Sequence, residues 1–342
     1  MADLYNDYKV KNNSVELNFG AENLFVTIYE KDIVHVSQEE EICSAAIEKE
    51  YIPTILEPQV SAGSENVKLV IKAGNIVIDV KDDKKLDIFY KDKLVLSDYE
   101  QERKKEEKNP YEDLAIAELE GHTIGKDEAK SDTVSFVKKL GRDDAVYGLG
   151  DKPGCLNKRG YSYVNWNTDD PAPHVDSFKS LYKSIPFFMV LGDEYCYGIF
   201  ADNTYKTKFD FGYENSEYYY VEHEKGKLDY YFMPGENLAD VVKLYTSLTG
   251  TTPLYQRWIY GAHQSRWGYY TQDEIVDIAD EFRKYDIPCD VIHMDIDYMN
   301  GYRVFTFDDK KFPDVKGLSK KLADKGVKLI SIIDPGVKKD EE

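Results

Sequence analysis

The sequence predicts two successive folds, a β-sandwich followed by a parallel α/β segment. Over residues 15–234 the apolar residues form short, often alternating runs separated by Gly, Asn and Asp, which is the pattern of antiparallel strands joined by polar turns. Beyond residue 235 they recur at helical spacing, between short apolar runs typical of buried parallel strands. A chain of 342 residues is also long enough for two domains that each bury a core.

The strands of the first part are predicted from alternation and turn residues. Residues 67–80 predict a hairpin that turns at Gly74 and Asn75, because both residue types tolerate the positive φ of a tight turn. The charged residues 101–113 predict a surface loop. Further strands are predicted from Leu24, Asp32, Leu86 and Lys93, and in the segments IPFFMVL, YCYGIFA, KFDFG, YYYVEH and LDYYFM.

The second part predicts a helix followed by a β-α-β-α-β unit. An apolar stripe from Leu238 to Leu248 predicts a helix that Gly250 ends. Thr271 and Glu274 have the spacing of a capping box, and another helix is predicted from about Asp314. The strands are predicted at residues 258–265, 290–297 and 327–336. We therefore expect a sandwich domain at 1–234, a helical connector at 235–252 and the α/β part at 253–342.

Composition argues against several classes of partner. The formal charge of -20, from 64 acidic and 44 basic side chains, disfavours nucleic acid and anionic membrane surfaces. No apolar run approaches the roughly 18 residues of a membrane span, and no leader pattern opens the sequence, so we expect a cytoplasmic protein. The four cysteines are far apart and lack a C-x-x-C pair, which predicts neither a disulfide framework nor a zinc cluster.

Polar side chains end each of the three predicted parallel strands, where α/β proteins bind ligands. On an extended strand, Asp295 and Asp297 would place both carboxylates on one side, with Cα atoms roughly 6 to 7 Å apart. Such carboxylates can accept hydrogen bonds from sugar hydroxyls. An alternative is the divalent-metal pair of a nucleotide-sugar transferase. His263 and His293 lack a third ligand pattern, so we predict no metal site and no cofactor.

Several long motifs resemble glycoside hydrolase family 31, the α-glucosidase type. HQSRWGYYTQDE at residues 263–274, IPCDVIHMDIDYMNGYRVFTFDDKKFPD at 287–314 and ISIIDPGV at 330–337 resemble the opening motifs of that family's (β/α)8 TIM barrel. YGLGDKPGCLNKRGYSYVNWNTDDP at 147–171, followed by LYKSIPFFMVLGDEYCYGIFADN, resembles the preceding β-sandwich. The resemblance covers roughly residues 144–336. It implies that residues 253–342 are the first part of the barrel, with about three of its eight strands.

The resemblance implies a retaining, exo-acting enzyme that removes glucose from non-reducing ends of short α-linked glucoside oligosaccharides without a cofactor. In that family the nucleophile is the Asp of a Trp-x-Asp-Met-Asn-Glu motif, and the general acid is a later Asp. None of the three tryptophans, Trp166, Trp258 and Trp267, begins that motif. We therefore expect a chain truncated before both catalytic residues and inactive by itself.

The resemblance also implies roles for individual residues. The substrate-binding positions are Asp169, Trp267, Asp295, Ile296 and Ile332, and the supporting positions are Arg266, Asp297 and Asp334. For each position an ordinary structural role stays open, as a turn for Asp169 and Asp334 or as core packing for Trp267 and Ile332. A non-catalytic carbohydrate-binding or accessory β-sandwich protein is the alternative function, and transglycosylation or lyase chemistry is the alternative reaction. The oligomeric state is not predicted.

Overall fold

A computed structural model describes residues 8–19, 23–40, 44–64, 66–81, 83, 85–103, 133–169 and 174–339. The chain divides into two compact units, residues 1–251 and residues 252–342. Among the described residues, the first unit consists mainly of strands with one α-helix, and the second of a small parallel sheet with two α-helices. The predicted domain boundaries stay a prediction.

The first unit contains the strands predicted from alternation. The alternation is visible in burial: along the seventh strand, Ile76, Ile78 and Val80 are buried while the residues between them are half-buried. The hairpin that turns at Gly74, whose φ is 57°, is confirmed. The first nine strands are β1 (Tyr8–Lys11), β2 (Ser14–Asn18), β3 (Asn23–Ile28), β4 (Val34–Ser37), β5 (Gln59–Ala62), β6 (Val67–Ala73), β7 (Ile76–Lys81), β8 (Leu86–Tyr90) and β9 (Lys93–Ser97). They are followed by β10 (Val134–Lys139), β11 (Ala145–Gly148), β12 (Ser162–Asn165), β13 (Phe187–Leu191), β14 (Cys196–Ala201), β15 (Thr207–Asp210), β16 (Tyr218–His223) and β17 (Asp229–Gly235).

These strands form a sandwich of two antiparallel layers. One layer is a sheet in the order β1-β2-β3-β4-β17-β14-β13-β11. The other consists of the sheets β5-β6-β7-β8-β9 and β10-β16-β15-β12, joined by an antiparallel bridge between Asp98 and Lys138. Side chains of both layers meet in one apolar core, which includes Val36 and Ile199 from the first layer and Ile78, Phe209 and Val221 from the second. The predicted β-sandwich is confirmed.

The junction of the two half-sheets contains a buried ion pair. Lys138 Nζ lies 2.7 Å from Asp98 Oδ1 and donates to the Tyr230 hydroxyl at 2.9 Å. Lys138 is 1% exposed, so its charge is compensated by these two groups rather than by water. The pair therefore fixes how β9 and β10 meet.

The helix α1 (Leu238–Thr249) packs on the sandwich. The Asn237 side chain accepts a hydrogen bond from the Asp240 amide, and Gly250 with φ 78° ends the helix, as predicted. The buried Val241 and Leu248 pack against a small cluster formed by the eight-stranded sheet. A Cβ on Gly198 of β14 would lie 2.6 Å from Val241, so glycine permits this close approach.

The second unit contains three parallel strands and two helices among its described residues. They are β18 (His263–Gln264), α2 (Gln272–Lys284), β19 (Val291–Met294), α3 (Val315–Asp324) and β20 (Lys328–Ser331), with the sheet order β18-β19-β20. The Thr271 hydroxyl accepts from the Glu274 amide and Asp314 accepts from the Gly317 amide, so both predicted helix starts are confirmed. Glu274 itself accepts from the Tyr270 amide rather than from Thr271.

All three predicted parallel strands are shorter than expected, and β20 spans only Lys328–Ser331 of the predicted residues 327–336. Arg257–Tyr260 form a 3-10 helix, which leaves only His263–Gln264 as a strand, because the Gly261 amide bonds back to the Trp258 carbonyl. β19 ends at Met294, where the chain turns into a 3-10 helix at Ile296–Tyr298.

The charged loop predicted at residues 101–113 lies mostly outside the described residues. Within the described part, Arg103 differs from the solvated surface residue that a charged loop predicts. Its guanidinium contacts Glu214 at 2.9 Å and Glu222 at 3.0 Å, and it stacks over the Tyr220 ring. The neighbouring carboxylates raise the pKa of the guanidinium further above its usual range.

Candidate functional site

The carboxyl ends of β18, β19 and β20 lie along one edge of the parallel sheet. The register pairs His263 with Val291 and Met294 with Ser331. The Ile332 amide continues the ladder by donating to the Met294 carbonyl at 3.0 Å. Asp295 follows Met294 directly, so the ends of β19 and β20 place Asp295 and Ile332 at the same level of the sheet.

The Asp295 side chain caps the short helix that follows β19. Its Oδ1 accepts from the Ile296 amide at 2.7 Å, and the side chain is half-buried. The Ile296 amide thereby orients the Asp295 carboxylate. The remaining lone pairs of the carboxylate stay available for further donors. Ile296 is half-buried and packs against the apolar cluster under the sheet.

The expectation that Asp295 and Asp297 share one side of an extended strand is wrong. Asp297 lies within the 3-10 helix Ile296–Tyr298, so the two-residue alternation of a strand does not apply. Asp297 is only 5% exposed, and its Oδ1 accepts from the Tyr302 hydroxyl at 3.3 Å. This carboxylate raises the pKa of the Tyr302 phenol. Asp297 therefore supports the loop after β19, and Asp295 is the more accessible carboxylate.

Trp267 follows β18 and is 75% exposed, which makes its indole accessible for stacking. Its neighbour Arg266 is anchored by three contacts. The guanidinium lies 3.5 Å from a Glu274 carboxylate oxygen, donates to the Gly268 carbonyl at 3.4 Å and faces the Tyr269 ring. Arg266 thus holds the loop that presents Trp267.

Ile332 and Asp334 follow β20. The Ile332 side chain is 39% exposed, so it is not a fully buried strand residue. Asp334 is exposed and has a φ of 43°, and its carbonyl accepts from the Gly336 amide at 2.6 Å. Asp334 therefore occupies a tight turn in the left-handed region.

Asp169 belongs to the first unit, and its side chain is exposed at the end of a described segment. The loop before it is fixed by Thr168, whose amide donates to the Leu181 carbonyl and whose hydroxyl donates to the Ser180 carbonyl, both at 3.1 Å. Residues 170–173 lie outside the described residues, and the turn predicted there is not tested.

Two histidines on the neighbouring strands β18 and β19 are in contact. His263 Nδ1 lies 2.9 Å from His293 Nε2, and His263 Nε2 lies 3.0 Å from the Ile259 carbonyl oxygen. Burial and the nearby His263 lower the pKa of His293. Within the described segments there is no group of three or more His, Cys, Asp or Glu side chains arranged to hold a metal ion.

Sequence reasoning assigned no individual role to three tyrosines that organise this edge. The Tyr298 hydroxyl donates to the Ile332 carbonyl at 2.7 Å, which ties the loop after β19 to β20. The Tyr269 hydroxyl accepts from the Gln264 side-chain Nε2 at 2.9 Å, and the Tyr302 hydroxyl donates to Asp297. The one available signal was the proximity of these tyrosines to the strand ends.

Two family models match the chain. The model described as the glycosyl hydrolase 31 N-terminal galactose mutarotase-like domain matches residues 23–210. The model described as the glycosyl hydrolases family 31 TIM-barrel domain matches residues 252–342. The predicted order, a β-sandwich followed by the first part of a TIM barrel, is confirmed.

Curated relatives carry glycosidase names. The chain is 48% identical over 209 residues to alpha-glucosidase 2 of Bacillus thermoamyloliquefaciens, an alignment that covers 61% of this chain and 26% of the relative. It is 33% identical over 208 residues to an alpha-glucosidase of Saccharolobus solfataricus, covering 61% of this chain and 30% of the relative. The matched region thus spans less than a third of either relative.

Solved structures share the fold. A dextranase of Flavobacterium johnsoniae in complex with isomaltotriose superposes with a TM-score of 0.76 at 31% identity, covering 95% of this chain and 37% of the dextranase. The glucosidase II alpha subunit gives a TM-score of 0.77 at 21% identity, covering 98% of this chain and 43% of the subunit, which supports the fold alone. In the described residues no helix is long and apolar enough to cross a membrane.

Proposed function

Because the chain belongs to glycoside hydrolase family 31, we propose that it forms the amino-terminal part of a retaining α-glucosidase and binds the terminal glucosyl unit of short α-linked glucosides. The single observation that carries the proposal is the alignment of Asp295 and Ile332 at the carboxyl ends of adjacent parallel strands. The curated relatives named as alpha-glucosidases support the substrate class.

Each proposed binding residue has a chemical role. The Asp295 carboxylate accepts hydrogen bonds from sugar hydroxyls, with its rotamer held by the Ile296 amide. Trp267 offers an exposed indole for the apolar face of a sugar ring. Ile332 and Ile296 provide apolar surface. Asp169 of the first unit stays a proposed substrate-binding carboxylate on the strength of the family resemblance.

The supporting residues keep these groups in place. Arg266 holds the loop that presents Trp267, and Asp297 holds the loop after β19 through the Tyr302 hydroxyl. Asp334 shapes the turn after β20. Their effect on binding is therefore indirect, through the orientation of the residues that touch the sugar.

This polypeptide by itself is proposed to hydrolyse no glycoside. A retaining mechanism needs one carboxylate to attack the anomeric carbon and a second to protonate the leaving oxygen. The sequence lacks the Trp-x-Asp-Met-Asn-Glu motif that carries the nucleophile in the family it resembles. Asp295 is proposed to hold substrate and not to attack it. A cytoplasmic location also remains a prediction.

Calorimetric titration of the full 342-residue chain with isomaltotriose and maltotriose tests the proposal. We expect binding without release of glucose, and at least a roughly tenfold loss of affinity for Asp295→Ala, since a hydrogen bond to a charged group is removed. The matched control is Asp324→Ala, because Asp324 ends α3 and lies next to the start of β20, away from the strand ends that carry Asp295. Equal affinities for wild type and Asp295→Ala would refute the site.

A longer polypeptide that includes the nucleophile motif provides the kinetic test. There, Asp169→Ala or Asp295→Ala is expected to lower kcat/KM for a nitrophenyl α-glucoside by at least roughly tenfold. Binding by the chain together with no hydrolysis by any extended form would favour an accessory carbohydrate-binding protein. Product analysis would separate hydrolysis from transglycosylation and lyase chemistry.

A further inference from the structure

The first unit contains a pocket of about 290 Å³ between its two layers, at the place where β9 and β10 meet. Apolar side chains from both layers line it, namely Leu24, Val36, Leu86, Phe136 and Leu228. The exposed Gln101 and Glu102 also line the pocket, which therefore opens to solvent. All lining residues belong to the first unit, so the sandwich alone builds this pocket.

Lys138 brings a buried, charged donor to the pocket. Its Nζ has two partners in the described part of the chain, Asp98 Oδ1 at 2.7 Å and the Tyr230 hydroxyl at 2.9 Å. An ammonium group carries three N–H groups, so the third has no acceptor among the described residues. Lys138 is only 1% exposed, and a buried donor without a partner costs free energy. This N–H therefore favours a pocket occupant that carries an acceptor atom.

Tyr230 supplies a second donor beside the first. Its hydroxyl oxygen accepts from Lys138, and no described residue accepts the hydroxyl hydrogen in turn. Burial raises the pKa of Tyr230, so the hydroxyl keeps this hydrogen. Tyr230 lines the pocket and is 1% exposed. The pocket thus combines an apolar wall with two neighbouring donors.

The ion pair at the base of the pocket determines which ligand charge is favourable. Burial opposes the charged form of Lys138, but Asp98 raises the pKa of Lys138 above its usual range, so the amine stays protonated. Asp98 already compensates this charge, and its Oδ2 also accepts from the Leu86 amide at 2.8 Å. An anionic ligand would place a second negative group beside Asp98, and a cationic ligand would place a second positive group beside Lys138. Both arrangements are costly in a buried site, which favours a neutral ligand.

We propose that this pocket binds a small neutral molecule with one apolar ring and a carbonyl oxygen that accepts from Lys138 and Tyr230. A carbonyl oxygen has two lone pairs and brings no hydrogen that itself needs a partner. The ring packs on Leu86, Phe136 and Leu228. The pocket volume lies near the lower limit of ligand pockets, which is roughly 300 Å³, so a single ring with a short substituent fits it. A sugar fits poorly, because the apolar wall offers few partners for its hydroxyls.

Ligand-observed NMR titration of the full chain with acetophenone tests the proposal. Ethylbenzene has a similar size but no oxygen, and we expect it to bind at least roughly tenfold more weakly, because both donors then stay without an acceptor. Benzoate is also expected to bind more weakly, since its carboxylate would lie beside Asp98. The proposal is overturned if acetophenone does not bind, which leaves the pocket to water, or if ethylbenzene or benzoate binds as tightly as acetophenone.

Three variants assign the binding to this pocket. Tyr230→Phe removes one donor and is expected to weaken acetophenone binding at least about threefold. Tyr231→Phe is the matched control, because Tyr231 is the next residue of β17 and packs in the apolar cluster on the other face of the sheet. It is expected to bind acetophenone as wild type does. Leu228→Trp fills the pocket and is expected to abolish binding.

Equal affinities of wild type and Tyr230→Phe, an equal loss in Tyr231→Phe, or binding retained by a folded Leu228→Trp would each contradict the assignment. Far-UV circular dichroism verifies that the variants fold. If Leu228→Trp is unfolded, the comparison of Tyr230→Phe with Tyr231→Phe decides the outcome.

Discussion

Replacing Asp202 by asparagine removes a carboxylate that the first unit holds in an unfavourable environment. Asp202 follows β14 and is half-buried, with a hydrogen bond to the Ser44 side chain. Burial, with a further contribution from the Asp229 carboxylate, raises the pKa of Asp202 to about 6. Asp229 is itself paired with His35 at 2.7 Å. The ionised form of Asp202 therefore costs stability.

The magnitude follows from the two pKa values. The difference between about 6 in the folded protein and the ordinary 3.8 corresponds to roughly 2 to 3 kcal/mol. Because the folded-state pKa is the higher one, the folded protein binds more protons between the two values. The stability that neutral Asp202 contributes to the folded protein is thus fully present below about pH 4 and is lost as pH rises through about 6. The amide side chain of the Asp202→Asn variant stays neutral at every pH, so this variant is expected to be more stable at pH 7 by up to that amount.

Urea unfolding of wild type and Asp202→Asn between pH 4 and pH 7.5 measures the effect. Hydrogen exchange of β14 and β17 peptides reports on the first unit specifically. The difference in unfolding free energy is expected to grow in favour of the variant across this range. Asp193→Asn, at an exposed turn of the same unit, is the matched control and is expected to show no such growth. A pH-independent difference for Asp202→Asn would refute the reasoning.

Two further substitutions test the packing of the sandwich. Lys138→Met breaks the buried pair with Asp98 and is expected to lower the free energy of unfolding by about 3 to 5 kcal/mol, measured by urea denaturation. The double variant with Asp98→Asn is expected to recover part of this loss, and a double variant as unstable as the single one would contradict the ion-pair explanation. Gly198→Ala is expected to cost about 1 to 3 kcal/mol, because its Cβ would lie 2.6 Å from Val241 and 2.7 Å from Phe187. Val241→Ala in the same chain should relieve part of that strain, and additive losses in thermal unfolding would argue against the contact.

The helices and the sandwich strands were predictable because their signals are local. Thr271 and Asp314 accept the amide hydrogen bonds expected of helix caps. Gly74 allows the turn between β6 and β7, and alternation set the buried face of those strands. Each of these features depends on residues within a few positions of one another.

The ends of the parallel strands were predicted less well, because they depend on hydrogen bonds that compete with the sheet. Asp295 caps a short helix, so β19 ends at Met294, three residues before the predicted end at residue 297, which removes Asp297 from the strand pattern. β18 begins only at His263, because the Gly261 amide bonds back to the Trp258 carbonyl and the following Ala262 amide donates to the Asp290 side chain at 2.9 Å. An alternating or apolar run does not reveal such side-chain contacts.

By itself the sequence determined the order of the elements, the helix caps and the set of polar residues that follow the parallel strands, since each is encoded by neighbouring residues. Only the tertiary structure decided which of those residues act together. It buried Asp297 beside Tyr302, placed Asp295 level with Ile332, and brought His263 within 2.9 Å of His293. The physical reason is that these contacts depend on strand register and on the point where each strand ends, and both are set by packing between segments distant in the chain.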